Sequence, residues 1–99
     1  MLSFRLTPQA RAQFDFIDEW WRANRTASPD LFCVELERAI AVTRSNPSLG
    51  TGYPHESLPN LRRLLLRRTR FHVYYVVDDD TATVVAIWNA IAGRGPQLP

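Results

Sequence analysis

Five arginines, Arg62, Arg63, Arg67, Arg68 and Arg70, fall within nine positions and lead into Phe71-His72-Val73-Tyr74-Tyr75-Val76-Val77. Guanidinium groups pair bidentately with phosphates and carboxylates and stack on aromatic rings. The imidazole of His72 adds a group that can take up a proton near neutral pH. Such a set supports three readings. It could hold RNA by phosphate pairing and base stacking. It could grip an acidic peptide or protein partner, since Arg, Tyr and Trp dominate interface hot spots. It could also be a solvated sheet face whose arginine stems cover apolar surface. Residue types alone leave all three open.

Other chemistries find little support. His55 and His72 lie on different expected elements with no Cys, His or carboxylate at ligand spacing, so no metal centre is expected. Asp78-Asp79-Asp80 reads as a solvated hairpin tip. There is no phosphate-binding glycine motif and no nucleophile elbow, and no cofactor is expected. Cys33, the sole cysteine, lies beside an inward helical face and reads as core, because reactive thiols need exposed electropositive sites. A lone cysteine forms no internal disulfide and fits a reducing cytoplasm. No secretory signal is visible at Met1-Leu2-Ser3-Phe4-Arg5, and no apolar run approaches the ~20 residues of a membrane helix, so no membrane association is expected. Every basic side chain is arginine, which excludes lysine general-base or Schiff-base chemistry. The net charge of +2 is unevenly placed: residues 1–60 carry six Arg against seven acids, and residues 61–99 six Arg against three Asp. The positive potential belongs to the C-terminal half.

Ninety-nine residues fit one domain, 1–99, with its own core. Leu2, Phe4 and Leu6 alternate with Ser3 and Arg5 as on a half-buried strand. Thr7-Pro8 then reads as an N-cap and first-turn proline, opening a helix that ends near Asn24-Arg25. Ala10, Phe14, Ile17 and Trp21 form its inner face, with Phe16 and Trp20 at the flank. Ser28-Pro29-Asp30 repeats the start signal, with Ser28 as the N-cap candidate. Phe32, Leu36, Ala39, Ile40 and Thr43 face inward on this second helix, Leu31 and Val42 fall off that face, and Asn46-Pro47 stops it. Residues 46–60 read as a Pro/Gly-rich loop. Strands follow over 62–68, 71–77 and 82–88, with a turn at Asp78–Thr81. In the middle strand Phe71, Val73, Tyr75 and Val77 share one face, and His72, Tyr74 and Val76 the other. With Leu64 and Leu66 turned to the core, Arg63, Leu65 and Arg67 join His72 and Tyr74, while Arg62 and Arg68 splay at the strand ends. Tyr75 and Trp88 read as core. The expected class is α+β, ordered β-α-α-β-β-β, with a helical hairpin packed on a largely antiparallel sheet.

That order, together with Thr7-Pro8-Gln9-Ala10, Ala39…Asn46-Pro47…Gly50, Arg62-Arg63-Leu64-Leu65-Leu66-Arg67-Arg68, His72-Val73-Tyr74-Tyr75 and Gly93-Arg94-Gly95-Pro96, resembles the RelE/ParE superfamily of type II toxin–antitoxin toxins. The likeness is closest to ParE-like "plasmid stabilization" members and covers nearly the whole chain. It implies one of two activities. RelE-like members are ribosome-dependent mRNA endonucleases; ParE-like members inhibit DNA gyrase by direct binding. Both are neutralised by a small antitoxin, here expected to be ParD-like.

Carrying the nuclease pattern over gives only His72, Arg63 and Arg94 as catalytic candidates. Leu65 replaces a second basic position, and the tail after Trp88 has no Tyr, His, Lys or Glu. Half of the acid–base pair that RNA cleavage needs is missing. The resemblance therefore implies a non-enzymatic, ParE-like gyrase inhibitor. An RNase and a non-toxic, antitoxin-binding member are the alternatives, and direct nucleic-acid binding stays open. The expected partner-binding residues are Arg63, Arg67, Arg68 and Tyr74 on the basic face, with Phe16, Trp20 and Leu31 beside the hairpin.

Overall fold

A computed structural model describes residues 2–91 and 94–98; Met1, Ala92, Gly93 and Pro99 lie outside the described residues, so the Gly93 of the terminal motif has no structural account. Strand β1 (Ser3–Leu6) leads into helix α1 (Pro8–Asn24). Thr7 caps the helix as its sequence predicts: its side chain accepts from Ala10 N–H at 3.1 Å, and Pro8 occupies the first turn. Such a cap contributes about 1 kcal/mol. Helix α2 (Leu31–Ser45) starts later than the Ser28 signal suggests, with Asp30 at the cap position and no side-chain cap bond. The Ser28 carbonyl is already engaged, accepting from Leu31 N–H and from Trp21 Nε1. Residues 28–30 are thus a turn that pins the end of α1.

The remaining strands are β2 (Thr51–Gly52), β3 (Arg62–Leu66), β4 (Phe71–Asp78) and β5 (Thr81–Asn89). They form one sheet in the order β1-β5-β4-β3-β2, antiparallel except for the β1–β5 pair. The observed order is therefore β-α-α-β-β-β-β, the expected α+β arrangement with one short strand added from the loop. β3 stops at Leu66 instead of 68, because residues 67–70 turn: Arg70 N–H donates to the Leu66 carbonyl at 2.8 Å, with Arg70 at a φ of 65°. Asp79 also takes a positive φ in the two-residue β4–β5 turn, a conformation aspartate tolerates better than most residues.

Two apolar clusters lie on opposite faces of the sheet. The larger joins the inner faces of α1 and α2 to Leu66, Val73, Tyr75, Val84 and Ile87. Phe32 links three elements, with its ring 5.6 Å from Phe14 and 5.3 Å from Phe71. Contacts of this kind contribute about 0.5–1.5 kcal/mol each beyond area burial. The second cluster, on the face away from the helices, contains Leu61, Tyr74, Val85 and Ala86, with Tyr53, Leu58, Val76, Trp88 and Leu98 packed against it. Val85 and Ala86 both join that face because a bulge shifts the register: Tyr74 pairs with Ala86, but Tyr75 pairs with Val84.

Candidate functional site

The arginine run is divided among three structures. Arg62 opens β3 and turns to the preceding loop, where its Nη1 donates to the carbonyls of Ser48 and Gly50. The same loop is held from below by Tyr75, whose hydroxyl donates to the Pro47 carbonyl and accepts from Gly50 N–H, both at 3.0 Å. A Cβ on Gly50 would lie 2.8 Å from that hydroxyl, so this position has no room for a side chain.

Arg63 pairs with Tyr74, and Leu65 with His72, on the face away from the helices, as the alternation predicts. The Arg63 guanidinium lies 5.1 Å from the ring centre of Tyr53. Tyr53 meets Tyr74 edge-on at 5.2 Å, and His72 lies 6.1 Å from Tyr74. Arg67 does not join them. Together with Arg68 it stands exposed in the 67–70 turn, which the Glu35 carboxylate ties to α2 by accepting from Arg68 N–H, Thr69 N–H and Thr69 Oγ1 at 2.7–3.0 Å.

Tyr74, expected to bind a partner, is 2% exposed. Leu31, expected at a docking rim, is half-buried and packs against the main core. Arg94 is exposed, and its carbonyl accepts from Trp88 Nε1 at 2.8 Å. Tyr53 escapes sequence reasoning altogether. It sits in a loop without periodicity, and only the folded loop brings its ring over the sheet.

The electrostatics are those of a shielded imidazole. Burial, and then the Arg63 charge, hold the His72 pKa below its ordinary value, so the ring is neutral at neutral pH. Burial pushes the Tyr74 phenol upward. A neutral imidazole can accept a proton, but the neighbouring Tyr74 phenol is sealed from solvent. Burial, followed by the contact with Glu37, raises the Cys33 thiol, the reverse of what a nucleophilic cysteine needs. Among the described residues, no group of three His, Cys, Asp or Glu could hold a metal ion.

Open apolar surface lies elsewhere. Phe16 is 73% exposed and Trp20 42% exposed on α1. With Ile17, Phe71, Ile87 and Trp88 they line a groove of about 580 Å³. Trp88, read from the sequence as core, is half-buried and serves both the groove and the second cluster. The groove follows β5 where β1 has ended, and there Gln13 Oε1 accepts from Ile87 N–H at 2.8 Å. Tyr75 is fully buried, as expected. A second groove, of about 480 Å³, runs between α2 and β3 past Arg38, Val42, Leu49 and Arg67. Large exposed apolar side chains gathered in grooves mark interaction sites more often than isolated ones do.

A family model described as the ParE toxin of type II toxin–antitoxin system, parDE, matches residues 4–90. No curated protein matches the chain in sequence. Among solved structures, a chain of the chromosomal ParDE TA system from P. aeruginosa aligns with a TM-score of 0.68 at 23% identity, covering 90% of this chain and 96% of that one. A chain of the YoeB-YefM complex from Staphylococcus aureus aligns with a TM-score of 0.55 at 12% identity, over 89% and 95% of the two chains. The conserved hypothetical protein HP0894 from Helicobacter pylori aligns with a TM-score of 0.52 at 13% identity, over 89% and 93%. Likeness at such identities establishes the shared fold.

Proposed function

The chain belongs to the ParE toxin family of type II toxin–antitoxin systems, within the RelE/ParE superfamily, and from that premise we propose that it inhibits DNA gyrase by direct binding and is neutralised by a cognate ParD-like antitoxin. The proposed setting is the cytoplasm, and the action is binding without catalysis. One observation carries the preference over RNA cleavage: the sheet face where the basic and aromatic residues gather is filled by the protein itself. Tyr74 is 2% exposed in a cluster with Tyr53, Leu58, Leu61, Val85 and Leu98. In-line cleavage needs a base, an acid and a cation arranged around an accessible phosphate. Here the phenol that stands beside the imidazole is covered.

The antitoxin is proposed to occupy the apolar groove at Phe16 and Trp20. Arg67 and Arg68, exposed at the turn, and Arg63 at the sheet edge are proposed to meet acidic residues of antitoxin or target.

The test runs a gyrase supercoiling assay beside an in vitro translation assay on one preparation. Block of supercoiling or accumulation of cleaved DNA, with translation intact and toxicity retained in His72→Ala, is the expected result. Translation arrest with mRNA cleavage, abolished by His72→Ala, would install the RNase reading instead, for which the neutral imidazole beside Arg63 is the favouring observation. Unimpaired growth on expression without antitoxin would mark a non-toxic, antitoxin-binding member.

A further inference from the structure

Helix α1 turns one face to the core and presents another to solvent. Gln9, Ala12, Phe16, Trp20 and Ala23 recur at steps of three or four and so share a side of the helix. All five are exposed, and none carries a charge. The charges farther round the helix are mostly satisfied within it: Arg11 pairs with Asp15 at 3.5 Å, and Arg22 with Asp18 at 3.0 Å. Of the charged residues of α1, only Glu19 lies outside these two pairs. A nucleic acid would find no cation on this face, and an acidic or basic peptide no countercharge. A second copy of the same face meets no like charge.

Two copies of one chain that close on each other do so about a two-fold axis, so the same face serves both. A parallel pairing of two α1 helices would set Trp20 against Trp20 and Glu19 against Glu19. An antiparallel pairing about Phe16 sets each residue at the level of the one equally far on the other side of Phe16. Trp20 then lies beside Ala12 of the second copy, Ala23 beside Gln9, and Glu19 beside Gln13. The bulky indole is matched with a small side chain, the pattern that lets facing elements interdigitate. Glu19 meets an amide whose oxygen already accepts from Ile87 N–H and whose nitrogen is left to donate. At a rise of 1.5 Å per residue the two Glu19 stand about 9 Å apart along the helices. The antiparallel arrangement also opposes the two helix dipoles.

We propose that the free protein pairs with a second copy of itself through α1, antiparallel and centred on Phe16, over the mouth of the aromatic groove that Phe16 and Trp20 line. Helix α1 has 17 residues and is therefore about 25 Å long. A single helix–helix contact of that length falls at the small end of interface sizes. The pair is accordingly reversible, not obligate. Antitoxin bound in this groove, as proposed above, excludes the second copy; that consequence alone rests on the functional reading.

The experiment is sedimentation equilibrium on the full-length protein without antitoxin, over a wide range of concentration. The molar mass is expected to rise from the 11.4 kDa of one chain toward twice that value. Phe16→Ala and Ala12→Trp should each raise the dissociation constant at least roughly tenfold, while Val42→Ala, in the other groove, should leave it unchanged. All three positions are exposed, so these variants should fold, which circular dichroism checks. Orientation is read by cross-linking in a Cys33→Ser background. Phe16→Cys should form an intermolecular disulfide under mild oxidation. Ala12→Cys should not, because the antiparallel pair holds the two copies of position 12 about 12 Å apart along the helices, beyond the ~7 Å that a disulfide spans. A mass of one chain at every concentration, indifference to Phe16→Ala or Ala12→Trp, equal weakening by Val42→Ala, or a cross-link at position 12 in place of 16 would each overturn the proposal. Neither antitoxin nor gyrase enters this assay, so its failure and failure of the functional reading remain distinguishable.

Discussion

His72 faces Trp88 in the sheet register and lies within the field of Arg63. Its folded pKa is below the ordinary 6.5, so between those two values the unfolded chain binds the proton more readily than the folded one. Stability is then complete above pH 6.5 and is lost as pH falls through 6.5 toward the folded value. Thermal melts at decreasing pH should show Tm falling across that window, and His72→Gln should flatten the fall. An unchanged slope in the variant would assign the acid sensitivity to other groups. At this scale much was readable beforehand. Alternation along β4 placed His72 and Tyr74 on one face and Tyr75 on the other, and an arginine two residues before Leu65 had to share the face of His72. The burial of Tyr74 was not readable. It depends on Tyr53, Leu58 and Leu98, which approach through a loop and a tail that carry no periodic pattern.

Helix ends were legible where a local chemical device sets them. Thr7-Pro8 starts α1 through a side-chain hydrogen bond, and Asn46-Pro47 ends α2 because proline constrains the residue before it. Strand ends set by tertiary contacts were not. β3 ends two residues early because Glu35, 33 and 34 positions away along the chain, holds the Arg68–Thr69 backbone in a turn. β2 escapes notice because two residues, one of them glycine, make no pattern. Glu35→Ala should remove three hydrogen bonds from that turn and cost about 1–3 kcal/mol in urea denaturation. Amide exchange at Arg68 and Thr69 should accelerate in step. Glu35→Gln, which keeps an acceptor oxygen, should lose less. Equal losses in the two variants would mean that charge, not hydrogen bonding, secures the turn.

Viewed as a molecule, the domain has a groove at each side of the sheet: an aromatic one beside β5 and another, past Arg38 and Arg67, beside β3. Phe16 contributes little to the core because most of its ring is in solvent. Phe16→Ala should therefore shift unfolding free energy by no more than about 0.5 kcal/mol. In calorimetry against the cognate antitoxin the same change should cost about 2 kcal/mol or more, as truncation of an aromatic anchor does. A neutral result would move the antitoxin away from this groove. The parallel pair between β1 and β5 has a consequence of another kind, one of timing. Ser3 pairs with Thr81, and Gln13 reaches Ile87, so the first strand made at the ribosome finds its neighbour only when the last is synthesised. At translation rates of about 5–20 residues per second, that interval is roughly 4–16 s. Throughout it the nascent chain lacks a complete sheet, and with it the β5 side of the aromatic groove. The groove proposed to receive the antitoxin is therefore completed only as the last strand is made.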